Sequence, residues 1–192
     1  MPRIPFSERP RRDFIYFIFF CVYGSTSIFI DTQYLYPEGV LPEFLTNLTR
    51  FWMDQTNDPM MGSLMGMNGE RIAQAYTWFL WMLRLEASFQ IPVTLITIPG
   101  LWFGTRSIYP LLVIWGASTA TTVYTAIGDI IGTPIADTPA NGPLAVAITA
   151  AHRRILILAH FPYLVIPLVI SIDMAYRLHV LASGSTRKLK TL

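Results

Sequence analysis

Four apolar segments, each long enough to cross the hydrocarbon of a bilayer, constrain this 192-residue chain more than anything else in it. They fall near residues 13–32, 74–99, 108–131 and 153–181, and a helical span needs about 20 residues. Charged residues make up 14% of the chain, against about 25% in soluble domains. Inside a bilayer every backbone N–H and C=O must be satisfied within the protein, so such segments are helices. A β-barrel would need alternating ten-residue strands, and none occurs. The expected fold is an all-α membrane protein, a four-transmembrane-helix bundle with an amphipathic luminal segment between helices 1 and 2.

Charge placement orients the bundle. With four spans, Arg3, Arg9, Arg11, Arg12, Arg106, Arg177, Arg187, Lys188 and Lys190 share one side. The other side holds Arg50, Arg71, Arg153 and Arg154, diluted by Glu38, Glu43, Asp54, Asp58 and Glu70. The positive-inside rule puts both termini in the cytosol. The expected organisation is a basic cytosolic tail (1–12), a membrane domain (13–181) and a second cytosolic tail (182–192). The basic start before FIYFIFFCV also has the outline of a signal peptide, but the apolar run continues to Asp31, longer than an h-region. A net charge of +2 points to no nucleic-acid partner. Cys21 lies within the first span and reads as a packing residue. No cofactor is implied, and three scattered histidines offer no metal-ligand spacing.

Between the first two spans, Phe44, Leu48, Phe51 and Trp52 recur at helical spacing, which predicts a helix lying on the membrane or capping the bundle. Asn47-Leu48-Thr49 is a glycosylation sequon, most simply chance in a segment pressed against lipid. Pro92 and Pro99 bend the second span, and Pro162 and Pro167 the fourth. Bent helices leave room between them, either for a cavity or for nothing. The third span carries Ser118, Thr119, Thr121, Thr122 and Thr125, mostly packing hydroxyls.

Two carboxylates sit in these apolar stretches. Asp31 closes the first span, and Glu86 lies within YTWFLWMLRLEASFQIPVTLITIP. A carboxylate at membrane depth is costly unless paired, protonated or in a wet cavity. Arg84, two residues from Glu86, points to another helix face. It must snorkel or pair across the bundle, with Asp129 the candidate by depth and Asp173 a poorer one.

Lys188 and Lys190, third and fifth from a C-terminus expected in the cytosol, resemble the di-lysine signal that returns membrane proteins to the endoplasmic reticulum. Taken together, FIDTQYLYP, NDPMM, RLEASFQIP and HFPYLVIP, in that order and at these separations, resemble the sigma-2 receptor family. That family and the emopamil-binding sterol isomerase form the EXPERA group. The resemblance covers residues 13–181. It implies a four-helix membrane bundle, usually a homodimer, with a lipid-accessible cavity for sterols and amphiphilic amines. By position it makes Asp31 the acid that pairs with a ligand's amine and Glu86 the buried acid beside it. Gln90, Thr122 and Tyr163 become pocket-lining groups, and Asp58 a loop acid that supports the structure near the pocket.

Two carboxyls close together in low dielectric cannot both ionise easily. Holding one negative charge and one donor, the pair would suit a protonated amine among rings, or a sterol hydroxyl. Trp78, Trp81, Phe89, Tyr124 and Tyr163 are available to line such a site. The isomerase places a histidine four residues before its span-two glutamate; this chain has Met82 there. His160, where the binding family often has tyrosine, is a packing histidine first and an acid–base group second. The expected function is non-enzymatic: binding sterols or cationic amphiphiles in the endoplasmic reticulum membrane, in sterol or lipid handling. The alternatives are a sterol isomerase, and a membrane chaperone or scaffold such as one handling mitochondrial precursors.

Overall fold

A computed structural model describes residues 9–37, 39–139 and 146–189, with side chains of the last helix as far as Ser183. Arg3, Glu38 and Lys190 therefore lie outside the described residues, as does the side chain of Lys188.

Helix α1 (Arg11–Phe29) runs into a 3₁₀ turn, Asp31–Leu35. Three short helices follow: α2 (Glu43–Thr56), α3 (Pro59–Leu64) and α4 (Glu70–Ala75). The second span is α5 (Thr77–Leu85), a π-helical turn (Glu86–Gln90) and α6 (Ile91–Phe103). A 3₁₀ turn at Arg106–Ile108 leads into α7 (Tyr109–Gly132), and α8 (Ala150–Leu189) closes the chain. Four stretches are long and apolar enough to cross a membrane: Arg11–Leu35, Thr77–Phe103, Arg106–Gly132 and Ala150–Ser183. The protein is an all-α, multi-pass membrane bundle, with spans within a few residues of those expected. Among the described residues there is no strand, only an isolated bridge between Ile135 and Ile148. The last helix does not stop near 181 but continues to Leu189.

The tightest packing is α7 along α8. Gly116 makes it possible: a Cβ there would lie 2.4 Å from the carbonyl oxygen of Pro167. Beside this crossing Phe20, Leu112, Trp115, Ile170 and Met174 are fully buried, with Phe20 and Trp115 ring centroids 4.5 Å apart. α1 packs on α6, where a Cβ on Gly24 would stand 3.1 Å from Thr94 Cγ2. Small residues at such crossings let backbones approach, which in lipid supplies association that hydrophobicity cannot.

Charges tie the start of α1 to α8. Asp173 forms ion pairs with Arg12 at 2.6 Å and with Arg177 at 2.8 Å, and Arg177 also donates to Asp13 at 2.6 Å. Arg9 donates to the carbonyls of Leu101 and Trp102, at 2.5 and 3.0 Å, capping α6. Asp173 is thus committed and is no partner for Arg84. Nor is Asp129, which accepts from the Tyr76 hydroxyl at 3.2 Å. Arg84 instead stacks on Trp81, 4.6 Å from its ring centroid.

Helix α2 turns Phe44, Leu48 and Phe51 of its predicted apolar face outward, where a helix lying on the membrane places them. Leu45, Thr49, Met53 and Thr56 are buried, whereas Phe44, Leu48 and Phe51 are exposed. Both faces carry apolar residues, one toward the bundle and one outward, as suits a helix between protein and lipid. Trp52 packs inward, against the cluster of Met60, Ile130, Ile148 and Leu156. Asn47 is exposed in mid-helix while Thr49 of its sequon is buried.

Candidate functional site

The site is built around the break in the second span. Pro92 has no N–H, so a regular helix would leave a carbonyl one turn earlier without its donor. The chain adapts by widening into a π turn, closed by the Ile91 N–H to the Glu86 carbonyl. Such turns shift the side chains they carry. Here the turn begins with Glu86 and ends with Gln90. The Gln90 carbonyl accepts from the Thr94 hydroxyl at 2.8 Å and from Trp115 Nε1 at 3.1 Å.

The opposing face comes from Tyr23 and Ser27, four residues apart on one side of α1, and from Asp31, the first residue of the 3₁₀ turn that follows. The Ser27 hydroxyl donates to Glu86 Oε1 at 2.5 Å. The Tyr23 hydroxyl lies 2.8 Å from Gln90 Oε1 and 3.3 Å from Glu86 Oε1. Gln90 Nε2 in turn donates to the Ser118 hydroxyl on α7 at 3.2 Å. Tyr23, Ser27 and Gln90 are buried, and this network crosses three spans. A fully paired buried network fixes one arrangement, whereas a half-paired one is costly.

Asp31 stands outside that network. Its carboxyl makes no hydrogen bond or ion pair among the described residues, yet it lines the same cavity as Glu86. This cavity has a volume of about 320 Å³, at the lower end of the range for small-molecule sites. Asp31, Glu86, Gln90, Thr122, Tyr163 and Asp58 all line it, so one chamber gathers every residue assigned to the pocket by resemblance. Asp58 fits a supporting position. Its Oδ1 accepts from the N–H groups of Met60 and Met61 at 2.9 and 3.2 Å, capping α3, and Trp52 Nε1 lies 3.5 Å from Oδ2. A side-chain cap of this kind satisfies orphan helix donors and holds the connection against the cavity.

The aromatic lining differs from expectation. Of the five candidates only Tyr163 borders the cavity, where its ring sits 6.1 Å from that of Tyr23. Trp78 packs against Tyr76 and Phe79, Phe89 packs on the main core, and Trp81 and Tyr124 are 62% and 69% exposed. Tyr23, Trp52 and Phe79 take their place in the wall. Tyr23 and Ser27 escaped the sequence reading because a tyrosine and a serine in an apolar run look like packing. The 23–27–31 spacing was the available signal.

His160 and Met82 also line the cavity. His160 Nδ1 lies 2.8 Å from the Leu156 carbonyl. A carbonyl only accepts, so Nδ1 carries the proton, and in the neutral ring Nε2 keeps its lone pair.

Comparison with known proteins agrees with this architecture. The chain is similar to the Sigma intracellular receptor 2 of Xenopus tropicalis, with 23% identity over 165 residues, 85% of this chain and 88% of that protein. The EXPERA (EXPanded EBP superfamily) family matches residues 44–174, from α2 through the cavity-lining part of α8, and the chain belongs to that family.

Proposed function

We propose that the protein binds a sterol or a cationic amphiphile in this intramembrane cavity, without chemical turnover, and serves sterol or lipid handling in the endoplasmic reticulum membrane. One observation carries the reading: an unpaired carboxyl, Asp31, in the same apolar chamber as Glu86, which is held by Ser27 and Tyr23. An isolated carboxylate in such surroundings is costly, and a ligand ammonium group removes that cost. Glu86 has one oxygen already hydrogen-bonded and so sets the shape of the site more than its charge. The Thr49 hydroxyl, buried at the cavity wall with no partner among the described residues, is available to a ligand polar group. The similarity to a protein named a receptor supports binding over turnover.

The proposal includes both termini in the cytosol, a homodimer, and retrieval by Lys188 and Lys190. It also treats residues 13–181 as the membrane domain, flanked by tails 1–12 and 182–192. Mass spectrometry of lipid co-purified with the protein tests the reading. A stoichiometric sterol or amine supports it, and an empty cavity that also fails to take up a cationic amphiphile overturns it.

A second reading, sterol isomerisation, draws on His160, which borders the cavity with the two carboxyls. Moving a ring double bond needs one group to deliver a proton and another to remove one. Met82, where the isomerases have histidine, weighs against it. Purified protein with an 8-ene sterol should give no turnover. Product that vanishes on Glu86→Gln or His160→Phe would make the protein an enzyme.

A further inference from the structure

Helix α8 puts an imidazole into the wall of the chamber. His160 stands one turn after Leu156, whose carbonyl oxygen lies 2.8 Å from Nδ1. A carbonyl only accepts, so Nδ1 holds its proton against the helix's own backbone. The two nitrogens lie on opposite sides of the ring, so Nε2 turns away from that backbone with its lone pair free. Other polar groups of the wall are already spent. The Tyr23 hydroxyl donates to Gln90, the Thr122 hydroxyl donates to the Thr119 carbonyl at 3.0 Å, and Asp58 caps α3. The Asp31 carboxyl and His160 Nε2, acceptors both, have no hydrogen-bond partner among the described residues.

Depth separates these two acceptors. α8 runs opposite to α1: Arg177 meets Asp13 at one end, and the rings of Tyr163 and Tyr23 stand 6.1 Å apart further in. From that ring pair, His160 is three residues back along α8, about 4.5 Å, and Asp31 is eight residues on from Tyr23, about 12 Å. The Asp31 carboxyl is therefore roughly 7 Å nearer the roof of the chamber, which Thr49, Trp52 and Met60 form. Leu156, packed with Met60 in one cluster, agrees with this order.

We propose that His160 sets the ligand class of this cavity: an amphiphilic amine that also carries a hydroxyl, with the ammonium at Asp31 and the hydroxyl donating to His160 Nε2 several bonds deeper. The inference rests on the cavity reading above and adds a second anchor to it. An amine without a hydroxyl satisfies Asp31 and leaves the ring nitrogen without a donor once the ligand has displaced water, which costs affinity. A sterol with a single hydroxyl satisfies one of the two positions. Tyr23, Phe79 and Tyr163 in the wall suit an aromatic ring between the two polar groups.

Two amines that differ by one hydroxyl test this: N,N-dibutyl-2-(4-hydroxyphenyl)ethylamine, whose hydroxyl lies across the ring from the amine chain, and N,N-dibutyl-2-phenylethylamine. Their affinities for the full chain in detergent are measured by isothermal titration calorimetry. Wild type should bind the phenol about fivefold more tightly, the gain expected for one hydrogen bond. His160→Phe should erase that preference and keep the affinity for the unsubstituted amine. His160→Gln, whose amide oxygen can take the place of Nε2, should restore the preference, which a purely structural role for the histidine would not. Thr49→Val, at the roof, should leave the preference unchanged, and Asp31→Asn should remove binding of both amines. Equal binding of the two amines by wild type overturns the proposal and leaves the cavity reading standing. A preference that persists in His160→Phe, is missing in His160→Gln or disappears in Thr49→Val overturns it as well. If neither amine binds wild type, the cavity reading falls and this inference falls with it.

Discussion

The Ser27 hydroxyl and Glu86 Oε1 lie 2.5 Å apart, joining the first span to the π turn of the second across 59 positions of sequence. This contact divides the labour between the two half-buried acids of the cavity. Glu86 is built into the frame, while Asp31, at the start of the 3₁₀ turn after α1, is left to the cavity.

Replacing Asp31 with Asn should abolish binding of cationic amphiphiles with little loss of folded protein, because Asp31 supports no other described group. Glu86→Gln should weaken binding less, since an amide can still accept from Ser27 through its oxygen. Thermal-shift titration with a cationic amphiphile measures both. Unchanged affinity in Asp31→Asn removes that residue from the site.

Tyr23→Phe removes the donor to Gln90 Oε1, a 2.8 Å hydrogen bond in a buried place. Leaving a buried acceptor unsatisfied costs about 1–3 kcal/mol. The variant should melt at lower temperature in detergent, and should lose ligand affinity as Gln90 and Glu86 shift. A melting temperature equal to wild type would show that this hydroxyl does not hold the turn.

Gly116→Ala should destabilise the α7–α8 pair. The added Cβ would meet the Pro167 carbonyl oxygen at 2.4 Å and Ser171 Cβ at 3.0 Å, and the clash is with backbone, which cannot rotate away. Overpacking of this kind costs about 1–3 kcal/mol, more than the gain of about 1 kcal/mol from replacing a helical glycine. Gly128→Ala, where nothing lies within 4 Å, is the control and should be neutral or slightly stabilising. Equal melting of the two variants would deny the close crossing.

Changing Lys188 and Lys190 together to Ser should let a tagged protein reach later compartments of the secretory pathway, read by microscopy. Full retention of the double variant would mean that the tail is luminal or that another determinant dominates.

The sequence by itself determined the four spans, since bilayer thickness sets a length that an apolar run either meets or does not. It also marked the break in span two, because Pro92 denies the helix a donor wherever the bundle places it. Rotation of each helix about its own axis was left to tertiary structure. In lipid the outward face is as apolar as the inward one, so periodicity cannot say which is buried. That is why α2 turns Leu45 and Met53 inward rather than Phe44 and Phe51, and why Trp78 and Tyr124 miss a cavity that Trp52 and Phe79 line. Charge pairing follows the same rule. Asp129 and Asp173 were visible as acids within the spans, but only the packed helices decided that one meets Tyr76 and the other Arg12 and Arg177. Arg84 is then left against Trp81 at the lipid face.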